Sequence, residues 1–326
     1  MTDRTKLILK FVLRLSVTAV LLWLILSRID LSRVGQSIKD ARWQFLIVVW
    51  VLAILAFGIR AVKMSFILKK QNCKVGITKI FGATSVTMLY SLIMPGLLST
   101  SVKWYILRQH TGKGSNVFSS MVHNQLTLYI LVITSGLIAL IATNPAGNWQ
   151  LPAICSVILV LLIVVCLSLL NRTIGPRLTN CLSNILNFLP ESFSNTGRKI
   201  LDQLAVFQRS PWSFHLKILA LDFVSFTIVG TTIYIFAAKA ARVDVPVGVL
   251  IWQCAIIFAL GRLPISIGNL GVREATLIGT LALYGVEESS AFLMSMILFS
   301  NVILMAIIGA IYQLSWTVTG KKPAQQ

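Results

Sequence analysis

Trp43-QFLIVVWVLAILAFGIRAVKMS-Phe66 is the stretch that decides the class of fold. A helix needs about 20 consecutive, predominantly apolar residues to cross the hydrocarbon slab of a bilayer, and this stretch supplies them. Five more stretches read the same way: Leu7 to Ser27, Val117 to Ala142, Leu151 to Leu170, Phe214 to Ala238 and Ser289 to Val318. Of 326 residues, 56% are hydrophobic and 12% charged, whereas soluble domains average about 25% charged residues. Arg4, Lys6 and Lys10 precede the first apolar stretch as they would in a signal peptide. That stretch is too long and lacks a small-residue cleavage site, so an uncleaved first span is expected.

Two further apolar regions, around Ile80 to Thr100 and Val245 to Gly285, are interrupted by Pro-Gly or by Pro and repeated Gly. The positive-inside rule decides how they run. Lys63 to Lys79 carries five basic residues and no acidic one, and Ser101 to Asn116 carries three and none. Both loops are therefore expected on the cytoplasmic side, which requires the segment between them to enter and leave on one face as a re-entrant hairpin broken at Pro95-Gly96. Thr143 to Gln150 is uncharged and falls outside. Arg172, Arg177, Arg198, Lys199 and Arg209 place 171–212 inside, as Lys321 and Lys322 do the C-terminus. Val245 to Gly285 is then a second hairpin, inserted from the outer side.

The expected architecture is an all-α polytopic membrane protein of about six full transmembrane helices and two re-entrant hairpins, some eight apolar segments in one domain over 1–326. The order span, span, hairpin, span recurs from the opposite face, so 1–145 and 146–326 read as an inverted repeat, both termini being in the cytoplasm. A short helix from Leu31 to Trp43, with Leu31, Val34 and Ile38 on one side, is expected along the outer interface. Ile174, Leu178, Leu182, Ile185 and Leu189 before Pro190, and Ile200, Leu204 and Phe207 after it, give a helical hairpin on the inner surface.

The net charge of +19 is spread over short loops beside apolar runs, which suits membrane orientation and not nucleic acid. The five cysteines form no CxxC pair and have no histidine cluster beside them, so no metal or cofactor is expected. Ser-His-Asp spacing, a Walker loop, paired carboxylates with a metal pattern and a dinucleotide turn are all lacking.

The strongest chemical signal is Gly261-RLPISIGNLGVR-Glu274. Backbone opened by Pro264, Gly268 and Gly271 is tolerated at membrane depth only where protein or water satisfies it. The half-helix that follows would offer its positive end, with Arg273 and Arg262, to a phosphate or carboxylate. The plainer reading is a tight turn capped at Gly271 with Arg273 and Glu274 as an interfacial ion pair. The matching segment Tyr90 to Tyr105 has Pro95, Gly96, the hydroxyls Ser99, Thr100 and Ser101, and the cation Lys103. Asp222 lies inside an apolar stretch, where a carboxylate needs a partner; Lys217 is one candidate, and solvation at the inner interface is the alternative. Arg60 at the end of its span, and His123, Asn124 and Gln125 early in theirs, complete the polar candidates.

Ile29-Asp-Leu with its short helix to Trp43, Pro95-Gly96 leading to Lys103-Trp-Tyr, and Pro264 through Gly268-Asn-Leu-Gly-Val-Arg-Glu274 resemble the transmembrane region of lysylphosphatidylglycerol synthases, a flippase-like membrane family. The resemblance covers nearly the whole chain. The first hairpin departs from the family pattern of Pro-Gly, a further Gly, an acidic residue and Arg, having Ser99, Thr100, Ser101 and Lys103 instead. Because the chain ends at Gln326, the resemblance implies lipid translocation or binding in the cytoplasmic membrane and not aminoacylation. The expected partners are anionic membrane lipids, either phospholipids or lipid-linked glycans. A membrane-embedded transferase with Glu274 or Asp222 as base, and a scaffold for an envelope glycosyltransferase, are the alternative readings.

Overall fold

The computed structural model describes residues 31–92, 94, 96–143, 147, 149–170, 206–207, 210–261 and 269–318. Among these residues all regular structure is helical. In chain order the helices are α1 (Leu31–Asp40), α2 (Gln44–Lys70), α3 (Ile77–Ser91), α4 (Gly96–Thr111), α5 (Gly114–Thr143), α6 (Gln150–Leu170), α7 (Trp212–Ala240), α8 (Val247–Leu260), α9 (Val272–Ala282) and α10 (Glu288–Val318). Four of them, α2, α5, α7 and α10, are long and apolar enough to cross a membrane. The 21-residue α6 falls where a further span is expected. The first expected span, 7–27, and most of the expected inner-surface hairpin lie outside the described residues.

Several boundaries move. The helix α2 continues past Phe66 to Lys70, so Lys63 is not a loop residue but lies about two turns inside the helix. The connection is only 71–76, and the basic residues flanking or within it are Lys69, Lys70, Lys74 and Lys79. The short α1 ends at Asp40, before Trp43, whose indole Nε1 donates to the Ile38 carbonyl at 3.2 Å. Both interrupted regions fold as pairs of short helices: α3 and α4 flank the Pro95-Gly96 break, and α8 and α9 flank 261–271.

These pairs are held in matching ways. At the end of α2, Asn72 takes φ 55° and Cys73 N–H donates to Leu68 O at 2.9 Å; at the end of α7, Arg242 takes φ 55° and Val243 N–H donates to Ala238 O at 2.8 Å. Both are Schellman caps, which close off a helix's last carbonyls, and each is followed four residues on by the N-cap of the next helix, Gly76 or Pro246.

Each short pair then packs across the molecule. The helix α3 lies against α10, and α8 lies against α5. At the first seam Gly309 comes so close to the Ser85 backbone that a Cβ would sit 2.3 Å from its carbonyl oxygen; at the second, a Cβ on Gly136 would sit 2.5 Å from that of Ala255. Ser85 is thirteen residues beyond Asn72 and Ala255 thirteen beyond Arg242; Gly136 is twenty-four beyond the positive-φ Gly112 and Gly309 twenty-four beyond the positive-φ Gly285. In lipid, where apolar burial does not drive helix association, such close backbone approach supplies the van der Waals contact that does. Hydrogen bonds reinforce the bundle: Trp50 Nε1 donates to Ser300 Oγ at 2.8 Å, and Gln313 Nε2 to Tyr90 Oη at 3.0 Å.

Candidate functional site

Two ionic centres lie inside the bundle. The first forms where α9 starts after the 261–271 break. Gly271 has φ 82°, a conformation that favours glycine, and turns the chain into the helix. Glu274, three residues on, reaches back so that its Oε2 accepts the Gly271 N–H at 2.6 Å. This half of a capping box satisfies one of the otherwise orphaned amides of the helix start. Its Oε1 accepts from Arg273 Nη2 and from Ser295 Oγ on α10, the latter at 3.0 Å, while Arg273 Nε donates to the same Ser295 oxygen at 2.9 Å. The guanidinium also lies over the Phe299 ring, 4.8 Å from its centroid. Arg273 is 5% exposed, Glu274 0% and Ser295 0%.

The geometry of the plainer reading, a capped turn with an Arg273-Glu274 ion pair, is thus present, and it is buried within the protein. A buried ion pair needs its remaining donors and acceptors satisfied, which is the work of Ser295 and the Gly271 amide. Arg262, Pro264 and Gly268, the other residues expected at this site, lie outside the described residues.

The second centre joins three of the long helices. Lys63 Nζ on α2 donates to both carboxylate oxygens of Asp222 on α7, each at 2.6 Å. It also donates to Thr127 Oγ1 and to the Asn124 carbonyl on α5, both at 3.2 Å. Lys63 and Asp222 are each 1% exposed. The expected Lys217 partner is wrong: Lys217 is exposed, and Asp222 faces α2. Arg60, one turn before Lys63, lies within electrostatic reach of both members of the pair and has its guanidinium 5.5 Å from the Phe57 ring centroid. Directly after Asp222, α7 widens into a π-helical segment, Phe223–Ile228, an irregularity found often at functional positions.

His123, a candidate by sequence, is 3% exposed and stacks on Phe207 with ring centroids 4.2 Å apart; the His215 ring is 5.7 Å away. Among the described residues neither His123 ring nitrogen has a hydrogen-bond partner. Tyr234 is within electrostatic reach of Arg273 and of Cys254, and Cys254 of Arg60. Cys254 belongs to an apolar cluster with Leu128, Val132, Phe226 and Ala255, against which Tyr234 and Phe258 pack.

The first break contributes less. Ser99 is buried and Lys103 half-buried on α4, one turn apart, and Gly96 opens that helix; Pro95 lies outside the described residues. The helix α4 packs on α3 and α5, whereas α9 packs on α8 and α10.

Sequence reasoning missed Lys63, Thr127, Ser295 and Phe299. Lys63 carried a usable signal, since a helix that runs on to the basic pair Lys69 and Lys70 puts Lys63 roughly 10 Å deeper at 1.5 Å per residue. No group of three or more metal-ligating side chains occurs among the described residues. No curated protein and no solved structure matches the chain. The family model described as the lysylphosphatidylglycerol synthase TM region matches residues 11–309, nearly the whole length, and with its apolar helices and lipid-related family the chain is a multi-pass membrane protein belonging to that family.

Proposed function

We propose that this protein moves an anionic lipid, a phospholipid or lipid-linked glycan, between the leaflets of the cytoplasmic membrane. The observation that carries this reading is the Arg273-Glu274-Ser295 network, a buried set of charge-assisted hydrogen bonds at the restart of a broken helix. In this arrangement Glu274 occupies the donors that a phosphate oxygen would need. A headgroup exchanging with that carboxylate meets the Arg273 guanidinium, the Ser295 hydroxyl and the amide end of α9, so its desolvation is offset along the way.

The reading extends to topology. The matched caps at Asn72 and Arg242 and the matched glycine seams at Gly309 and Gly136 support two inverted repeats, each carrying one re-entrant pair, α3–α4 or α8–α9. The helices α2, α5, α6, α7 and α10 cross the membrane with the unlabelled first stretch as a sixth span, and both termini are cytoplasmic. Arg60, Lys103, Ser99 and Asp222 are the remaining polar groups of the passage.

Reconstitution into liposomes tests the reading. Fluorescent phosphatidylglycerol, phosphatidylethanolamine and a polyprenyl-phosphate sugar are each incorporated, and a membrane-impermeant quencher reports the outer-leaflet fraction. The expected result is movement of at least one anionic lipid. It slows by about tenfold or more in Arg273→Ala, the loss of a charged hydrogen-bond donor being worth about 1.5–3 kcal/mol. Unchanged movement of every lipid by that variant would sink the site assignment.

A further inference from the structure

The Lys63-Asp222 pair is not needed to explain the Arg273 site, and its construction is costly. It is the one ion pair between two long helices among the described residues, and an ammonium and a carboxylate buried together must balance each other, because either alone is strongly unfavourable. Its surroundings supply no second carboxylate among the described residues. Facing the pair are Arg60 from α2 and His123 and the Thr127 hydroxyl from α5; one step further out, Cys254 on α8 is within reach of Arg60, and His215 on α7 within reach of His123. If Asp222 takes a proton, the Lys63 ammonium keeps only neutral acceptors, Thr127 Oγ1 and the Asn124 carbonyl.

We propose that Lys63 and Asp222 form a proton-coupled anion site, at which a proton on Asp222 and an anionic headgroup on Lys63 enter and leave together. This rests on the lipid-translocation reading and adds its energy source. The argument is one of linkage. With Asp222 ionised, Lys63 is neutralised from within and the site refuses an anion. With Asp222 protonated, Lys63 requires one. Each ligand therefore raises the affinity of the other by the same factor. One proton accompanies each headgroup negative charge, the proton residing on a carboxylate oxygen of Asp222 and the headgroup oxygen accepting from Lys63 Nζ.

Two histidines stand on the Lys63 side of the pair. His215 is half-buried two turns before Asp222 on the same helix, and the His123 ring lies 5.7 Å from it and within electrostatic reach of Lys63. Neither ring nitrogen of His123 is engaged by a described residue, which leaves one to accept a proton and the other to pass one on. The π segment Phe223–Ile228 adjoins Asp222, so loss of the tether to α2 falls beside the least regular turn of α7.

The test uses the full chain in liposomes containing labelled phosphatidylglycerol and an imposed pH difference, with protein-free vesicles as control. Coupling at one proton per lipid predicts a leaflet asymmetry of up to about tenfold for each pH unit, reversing when the gradient is reversed. Asp222→Asn is expected to abolish the asymmetry and Asp222→Glu to keep it. Infrared difference spectra between acid and neutral pH are expected to show a carboxylic-acid band that Asp222→Asn removes and Glu274→Gln does not. Wild-type protein that equilibrates the lipid without asymmetry under a gradient overturns the coupling and leaves translocation standing. Protein that moves no lipid refutes translocation, and the Asp222 band then decides whether the site titrates; its absence overturns the proposal in either case.

Discussion

Replacing Gly309 with alanine is expected to loosen the seam between α3 and α10. The added methyl would lie 2.3 Å from the Ser85 carbonyl oxygen, 2.5 Å from its carbon and 2.8 Å from the Val86 nitrogen. Since non-bonded carbon contacts settle near 3.5 Å, the two helices must part by roughly 1 Å, which forfeits up to half the attraction of every pair along the seam. Overpacking of this kind costs about 3 kcal/mol, the upper end of its usual range. At the other seam the obstacle to Gly136→Ala is a side chain, the Ala255 methyl at 2.5 Å, and Ala255→Gly should remove it. Thermal unfolding of detergent-purified protein, followed by tryptophan fluorescence, measures both. The expected order is a lowered midpoint for each single variant, recovery of Gly136→Ala by Ala255→Gly, and no recovery of Gly309→Ala by Ser85→Gly. A wild-type midpoint for Gly309→Ala, or its rescue by Ser85→Gly, would refute the packing argument.

Asp222→Ala should destabilise by about 3–5 kcal/mol by stranding the Lys63 charge, and Lys63→Met with Asp222→Leu should regain most of that loss in the same melt. Gly271→Ala forces a side chain into the φ 82° conformation, and a loss of about 1–3 kcal/mol is expected, visible as a lower midpoint than that of Gly279→Ala, where a methyl meets nothing within 4 Å. Cys73, in the turn after α2, is buried 2% exposed, and burial raises its thiol above the ordinary value. In a background lacking the other cysteines its maleimide labelling at neutral pH should be slow and should accelerate as pH rises; rapid labelling at neutral pH would contradict the packing of that turn.

The spanning helices were legible because hydrocarbon thickness imposes a length that a run of apolar residues either meets or does not. The α3–α4 and α8–α9 breaks were legible for a local reason, as Pro and Gly interrupt helices by their own backbone chemistry. Arg273 and Glu274 are neighbours in sequence, so their pairing beside Gly271 could be anticipated, though not the hydroxyl of Ser295 from another helix. The Lys63 and Asp222 contact joins residues 159 apart and is fixed by how α2 and α7 cross, which no local pattern encodes. Counting Lys63 with the basic residues up to Lys79, although it falls inside the apolar stretch that ends at Phe66, hid its depth, because the helix runs on to Lys70 after hydropathy has faded.

The crossed seams also govern the order in which the molecule can be completed. The face of α3 around Ser85 is covered by Gly309 on α10, a residue synthesised 224 positions later. At about 5–20 residues per second, that face waits roughly 10 to 45 s during translation before its partner exists. The face of α5 at Gly136, by contrast, meets Ala255 on α8 after 119 residues. The second-made seam therefore closes the first-made helices, and a ribosome stalled before Glu288 would leave in the membrane a bundle in which α3 rests on α2 and α4 alone, its Ser85 face uncovered.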